Sequence, residues 1–109
     1  MPKLFFASPR DLAVRSPAPG ITERVVPAEH ASILLVDLEP KTVLETHKHD
    51  VEEVGVVMKG SLVLVIAGEQ RILTRSDSYR VPPGASHGAR VFEEATQVLM
   101  VWAPKPESP

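Results

Sequence analysis

Short apolar runs that alternate with turn residues dominate the hydrophobic pattern of this 109-residue chain. No segment of helix length carries apolar residues at a 3.6-residue period, whereas short runs rich in Val, Ile and Leu are typical of strands. The pattern predicts strands at Ile33–Leu38, Val43–His49, Glu53–Met58, Leu62–Ala67, Gln70–Thr74, Tyr79–Val81, Gly88–Phe92 and Thr96–Trp102. Strands at this spacing indicate an antiparallel sandwich or barrel, and so an all-β fold class.

Proline-rich segments flank the predicted strands at both ends of the chain. We interpret residues 1–109 as a single domain, with residues 1–20 as an N-terminal arm and 105–109 as a C-terminal tail. The segment LFFA at residues 4–7 is a candidate extra strand that could add to the sheet edge of a partner.

The composition excludes several classes of function. Apolar residues make up 43% of the chain and charged residues 24%, and the net charge is −2 without a basic stripe. We therefore expect neither a nucleic acid nor a membrane as a partner. The chain has no cysteine, which excludes disulfides and thiol catalysis. The first residues lack the apolar core of a signal peptide, so we expect a cytoplasmic protein.

The segment HKHDVEEVGVVMKG at residues 47–60 contains the most informative pattern. Residues i and i+2 of a strand face the same side, so His47 and His49 can both reach one ion. Glu53 shares this parity but would lie roughly 13 Å from His49 along a straight strand, at about 3.3 Å per residue. A turn at residues 50–52 would let the next strand run back beside the first and place Glu53 opposite His49.

A further histidine, His87, follows the segment PPGAS, in which prolines fix the backbone and Gly84 permits a sharp corner. Three imidazoles and one carboxylate suit a divalent Mn, Fe, Co, Ni, Cu or Zn ion better than Ca or Mg. Taken singly, the histidine pair could be a solvated strand edge, and His87 could be an ordinary loop residue. Their joint spacing favours a shared metal site that consists of His47, His49, Glu53 and His87.

Few other residues are candidates for chemistry. Tyr79 and Arg90 are weak catalytic candidates, since Tyr79 could equally be a core aromatic and Arg90 a surface ion pair. Glu52 is predicted to face solvent, because its parity is opposite to that of Glu53. His30 lies in the polar segment PAEHAS and is interpreted as a surface residue.

These motifs resemble those of the cupins, which carry G-x5-HxH-x3-4-E-x6-G and then G-x5-PxG-x2-H-x3-N. The first motif matches at His47, His49, Glu53 and Gly60, and the second at Pro82, Gly84 and His87. The resemblance implies a jelly-roll β-barrel, also called a double-stranded β-helix, with one metal ion. Small cupins of this type often pair, so it also implies a homodimer.

Three positions depart from the cupin motifs. Lys41 and Ser76 stand where the two leading glycines are expected, which predicts altered turn geometry, and Val91 replaces the usual asparagine. None of these departures removes a candidate ligand.

The chain also resembles the KdgF-like cupins, which open the ring of unsaturated uronates. Shared features are Pro19-Gly20-Ile21 with Arg24, the HxHxxE segment and a C-terminal aromatic-x-Pro at Trp102 and Pro104. Those proteins carry Gln where this chain has Glu53, and an acid where it has Met100. Methionine cannot transfer a proton.

Three functions follow from these features. The first is a metalloenzyme of the isomerase or lyase type that acts on a small oxygenated substrate such as a sugar acid. The second is an iron-dependent dioxygenase. The third is a non-catalytic cupin that binds or senses a small molecule, which the methionine at position 100 favours.

Overall fold

The structure, a computed structural model, describes residues 5–104. Within that range the chain forms one 3₁₀ helix, Pro9–Asp11, and ten strands. The strands are β1 (Ala13–Arg15), β2 (Ile21–Pro27), β3 (Ser32–Leu38), β4 (Val43–His47), β5 (Glu52–Lys59), β6 (Ser61–Ile66), β7 (Glu69–Thr74), β8 (Ser78–Val81), β9 (His87–Val91) and β10 (Thr96–Ala103).

The strands form two antiparallel sheets that pack face to face. The larger sheet has the order β1-β2-β3-β10-β5-β8, and the smaller has the order β4-β9-β6-β7. Consecutive strands often lie in different sheets, as β4 and β5 do, so the chain crosses repeatedly between them. The prediction of an all-β jelly-roll fold is confirmed.

Alternate residues of the strands fill the space between the sheets. Leu34 and Val36 on β3, and Val57 on β5, are almost completely buried in one cluster with Leu62 and Leu64 of β6. Val91, which stands where the second motif usually has asparagine, belongs to the same cluster. An aliphatic side chain there adds to the apolar interior, whose burial is the main stabilising contribution to the fold.

The eight predicted strands all appear, with ends that differ by one or two residues. Two strands were not predicted: β1, which is only three residues long, and β2, whose sequence ITERVVP mixes polar and apolar residues on both faces. Because β1 pairs with β2, Ala13–Arg15 belongs to the sheet and the interpretation of residues 1–20 as an arm is wrong there.

The predicted extra strand at residues 4–7 is not formed by its described part. Residues 5–7 lie outside any strand, and the side chains of Phe5 and Phe6 are exposed. Leu4 and the predicted tail at 105–109 lie outside the described residues.

Two turns have the left-handed backbone conformation that is expected where the cupin motifs carry glycine. Lys41 has φ 64° and Ser76 has φ 76°, both in the left-handed region that favours glycine. The expectation of altered turn geometry at these positions is therefore wrong. Each turn retains its shape with a side chain that makes the left-handed conformation less favourable by about 1–2 kcal/mol.

No helix between residues 5 and 104 is long and apolar enough to cross a membrane.

Candidate metal centre

Three histidines from two segments of the chain meet at one end of the space between the sheets. His47, the last residue of β4, lies directly opposite His87, the first residue of β9. His49 follows β4 in a loop, so the prediction that it lies in the strand is wrong. One ring nitrogen from each histidine lies within 4.8 Å of the others, a spacing that can hold a metal ion.

A backbone hydrogen bond joins the loop that carries His49 to the loop that leads to His87. The amide N–H of Gly84 donates to the carbonyl of His49 at 2.8 Å. Gly84 has φ 79°, a conformation that glycine adopts without strain, as its place in the PPGAS segment predicts. The loop before β9 is therefore fixed against the loop after β4.

The Nδ1 atom of each histidine ring contacts a nearby backbone carbonyl. The distances are 2.8 Å from His47 to Glu45, 3.0 Å from His49 to Val51 and 3.1 Å from His87 to Ala85. A carbonyl can only accept, so each Nδ1 must carry the proton and donate it. The lone pair of every imidazole is then on Nε2, the tautomer that binds a metal through that atom.

Glu53 enters the site from the opposite sheet. Its side chain is buried on β5, and its Oε1 lies 3.3 Å from Nε2 of His49 and 3.8 Å from Nε2 of His87. The sequence predicts that Glu53 faces His49 across a pair formed by consecutive strands. That route is wrong, since β4 pairs with β9 and β5 pairs with β8 and β10.

Two aromatic side chains fix the Glu53 carboxylate. Tyr79 on β8 donates its hydroxyl to Oε2 at 2.6 Å, and Trp102 on β10 donates its Nε1–H to Oε1 at 2.9 Å. Trp102 is directly opposite Glu53 in the sheet, whereas Tyr79 is opposite Gly55 and must reach along the strand. The strands on both sides of β5 thus supply one donor each.

Gly55 makes the approach of Tyr79 possible. A Cβ at position 55 would lie 2.4 Å from Cζ of the Tyr79 ring, a distance that real contacts do not reach. The ring therefore lies over the bare backbone of Gly55, and only glycine permits this packing.

The site favours the neutral form of His87 and the protonated form of Tyr79. Burial lowers the pKa of His87, and the neighbouring histidines act in the same direction. Burial also raises the pKa of Tyr79 far above its ordinary value, and the adjacent Glu53 carboxylate raises it further. Tyr79 therefore keeps its proton and donates it to Glu53.

These protonation states leave lone pairs facing one another. The buried Nε2 of His87 has no hydrogen-bond partner among residues 5–104. Nε2 of His49, whose Nδ1 faces the carbonyl of Val51, lies 3.3 Å from the Glu53 carboxylate. Acceptors that converge without a proton repel one another, and a cation between them removes the repulsion. The donor set therefore fits a metal ion.

A cavity of about 560 Å³ extends from this centre between the two sheets. Glu53, His47, His87, Tyr79 and Trp102 line one part of it. Most of the remaining wall consists of aliphatic side chains from both sheets.

The other residues that the sequence analysis singled out as candidates for chemistry do not line this cavity. Arg90 is exposed on β9 and is not among the residues that line the cavity. The half-exposed Glu52 pairs with Arg80, and the side chain of His30 is 89% exposed. Both therefore face away from the centre, as predicted from the sequence.

Three cavity residues were given no role by the sequence analysis. The sequence indicated Trp102 only as part of the aromatic-x-Pro feature, although it is the single tryptophan of the chain and has the same parity as Met100 and Val98. Arg15 and Glu23 also line the cavity and form an ion pair at 2.8 Å. They lie on β1 and β2, the two strands that the hydrophobic pattern did not predict.

The sequence matches a family model described as the cupin domain over residues 34–103. Over 60 residues it is 37% identical to the pectin degradation protein KdgF of Dickeya dadantii (strain 3937), an alignment that covers 54% of each chain. Over 59 residues it is 36% identical to H2HPP isomerase of Bacillus subtilis, with 53% of this chain and 25% of that protein covered. The chain thus spans about half, or less, of the length of these relatives.

A solved structure of KdgF from Halomonas sp. shares the fold. It superposes with a TM-score of 0.85 at 23% identity, and the alignment covers 97% of both chains.

Proposed function

Because this chain belongs to the cupin family, we propose that it is a metal-dependent enzyme that acts on a small oxygenated substrate. His47, His49, His87 and Glu53 would hold one divalent transition metal ion. The observation that supports this most directly is the set of three Nδ1 atoms that contact backbone carbonyls, which leaves the three Nε2 atoms for an ion, those of His49 and His87 at 3.3 and 3.8 Å from Glu53.

The donor set restricts the choice of metal. Three neutral imidazoles and a carboxylate suit Mn, Fe, Co, Ni, Cu or Zn, whereas Ca and Mg prefer oxygen ligands. Four protein ligands leave one or two coordination positions for a substrate oxygen. When bound there, such an ion acts as a Lewis acid on a carbonyl or hydroxyl group.

The specific hypothesis is an isomerase or lyase reaction. Two relatives have names that fit this class, the pectin degradation protein KdgF and H2HPP isomerase. Tyr79 and Trp102 would act by holding Glu53, and Tyr79 would be a positioning residue because its proton stays on the phenol. The aliphatic cavity wall would limit the access of water to the metal centre.

A non-catalytic binding function is the second candidate. Met100 lines the cavity where KdgF-like proteins carry an acid, so no carboxylate is supplied from that position of β10. A binding module would take up metal and ligand without turnover. An iron-dependent dioxygenase would require iron as the retained metal.

Elemental analysis of the purified protein tests the metal centre. We expect about one equivalent of a transition metal, lost in His49→Ala and retained in His30→Ala, which removes an exposed histidine instead. Equal metal content in the two variants would contradict the proposed site.

Activity assays then separate the candidates. The reconstituted protein is tested against sugar acids, oxo acids and catechols, with His49→Ala as the control. Turnover that disappears in the variant supports the enzyme and refutes the binding module, whereas no turnover with any metal refutes the enzyme. Turnover of catechols with iron and oxygen would favour the dioxygenase.

A homodimer and a cytoplasmic location also remain predictions. Sedimentation equilibrium of the untagged protein tests the first, since a monomeric mass would refute the dimer.

A further inference from the structure

We propose that the substrate is a small acid with an apolar body, branched aliphatic or aromatic, rather than a polyhydroxylated sugar acid. This inference rests on the proposed function, in which an oxygen-bearing head of the substrate faces the metal centre. It comes from the chemistry of the cavity wall beyond that centre.

The wall beyond the centre is aliphatic on both sides. Its side chains come from β3 and β10 of the larger sheet and from β6 of the smaller one, and include Val36, Leu38, Leu62, Leu64, Val98 and Met100. Several of them belong to the hydrophobic core cluster of the fold. A group that enters this space leaves water for a surface of methyl and methylene groups.

Most polar groups of the cavity outside the histidines are already paired with one another. The hydroxyl of Tyr79 and the Nε1–H of Trp102 both donate to Glu53. Arg15 donates its Nε–H to Glu23, and Glu45 is exposed on β4. Within residues 5–104, Arg15 is the only lysine or arginine that lines the cavity.

This pairing disfavours a sugar. Each substrate hydroxyl that is buried without a partner weakens binding by roughly 5- to 150-fold, the equivalent of the desolvation penalty of an unpaired polar group. An apolar body gains affinity instead, by about fourfold for each methylene that is fully buried. The wall therefore discriminates between two acids that have the same head.

Three 2-hydroxy acids with the same head test the inference. Lactate has almost no body, whereas 2-hydroxy-4-methylpentanoate and gluconate each have six carbons, apolar in the first and hydroxylated in the second. Zinc-loaded protein is titrated with each acid, and binding is followed by fluorescence of Trp102, the single tryptophan, which lines the cavity.

We expect 2-hydroxy-4-methylpentanoate to bind at least tenfold more tightly than lactate, and gluconate to bind no more tightly than lactate. Equal affinity for the three acids, or preference for gluconate, would overturn the inference. Absence of binding by all three would also overturn it.

A pair of variants locates the preference. Met100→Gln places an amide in the cavity wall and should reduce the preference for 2-hydroxy-4-methylpentanoate over lactate by about tenfold. Leu99→Gln, the matched control, changes the neighbouring residue of β10, which faces the other side of the sheet. It should leave the preference unchanged, and an equal effect of both variants would count against a cavity origin.

Zinc content, measured on the same samples, tests the proposed function separately. A protein that retains zinc but shows no preference among the acids contradicts only the apolar wall. A protein that retains no zinc contradicts the metal centre, and the order of the three affinities still tests the wall.

Discussion

The two halves of the candidate metal centre are held in place by different means. Each histidine ring is fixed by a carbonyl only two residues away in the chain. The Glu53 carboxylate is fixed by Tyr79 and Trp102, which lie 26 and 49 residues away. The histidine half thus depends on local backbone, whereas the glutamate half depends on the packing of three strands. A substitution remote from Glu53 in sequence can therefore disturb it without contact to any histidine.

The largest effect is expected from a change in the histidine half. His87→Ala removes a buried lone pair that no neighbour can replace, and should weaken zinc binding by about 100-fold or more. Competition with a chelator measures the affinity, with His30→Ala as the control that should match the unmodified protein. Unchanged affinity in His87→Ala would show that the histidine half does not bind the metal.

Gly55→Ala should disturb the glutamate half without altering any polar group. The new methyl would displace the Tyr79 ring and release one oxygen of Glu53, so we expect zinc affinity to fall roughly 10- to 100-fold. Gly68→Ala is the matched control, because Gly68 has φ 84° but no atom within 4 Å of the added methyl. The control should lose about 1 kcal/mol of folding stability and retain zinc affinity. Equal loss of affinity in both variants would refute the role of Gly55.

Tyr79→Phe should have a smaller effect, because Trp102 still holds the other oxygen of Glu53. We expect zinc affinity to fall about tenfold. In a double-mutant cycle with Trp102→Phe, the two effects should be non-additive, since both side chains hold the same carboxylate. Fully additive effects would show that the two donors act independently.

The metal-free protein should become less stable as the pH falls below 6.5, the ordinary pKa of histidine. Burial lowers the pKa of His87 in the folded state, so the unfolded state takes up a proton first and stability is lost over that range. Urea unfolding at pH 8, 7, 6 and 5 measures the free energy of unfolding. In His87→Gln this free energy should fall less steeply with decreasing pH. The same pH dependence of the free energy of unfolding in His87→Gln would exclude His87 as the source of the loss of stability.

The smallest effect is expected at the two left-handed turns, far from either half. Lys41→Gly and Ser76→Gly should each raise the free energy of unfolding by about 0.5–1 kcal/mol. Relief of about 1–2 kcal/mol exceeds the entropic penalty of glycine, roughly 0.5–1 kcal/mol. Lys59→Gly in β5 is the control and should be destabilising. Destabilisation by all three changes would contradict the strain at Lys41 and Ser76.

The histidine half was accessible from the sequence because its residues stand in two local motifs that resemble those of the cupins. The HxH pair and the PPGAS loop specify local geometry, and the structure places His47, His49 and His87 within reach of one another. The same holds for strands such as β3 and β6, which contain the continuous apolar runs ILLV and LVLVI. The predicted route of Glu53 to the site was wrong, because strand pairing between distant segments is not encoded in spacing.

The surroundings of Glu53 and the far wall of the cavity were not accessible in this way. Trp102 and Tyr79 reach Glu53 only because β10 and β8 flank β5 in the sheet. Arg15 and Glu23 lie on strands whose mixed polarity gives no period-2 signal. Such contacts arise from tertiary packing, which overrides local pattern.

The turns at Lys41 and Ser76 also show what a glycine in a family signature records. The glycine marks a left-handed backbone conformation, and this chain adopts that conformation with Lys41 and Ser76. A sequence comparison counts each position as a mismatch, although the backbone conformation is the one that glycine favours. Sequence divergence at such positions therefore overstates structural divergence. A distant member of a family can have the backbone geometry of the family without its signature residues.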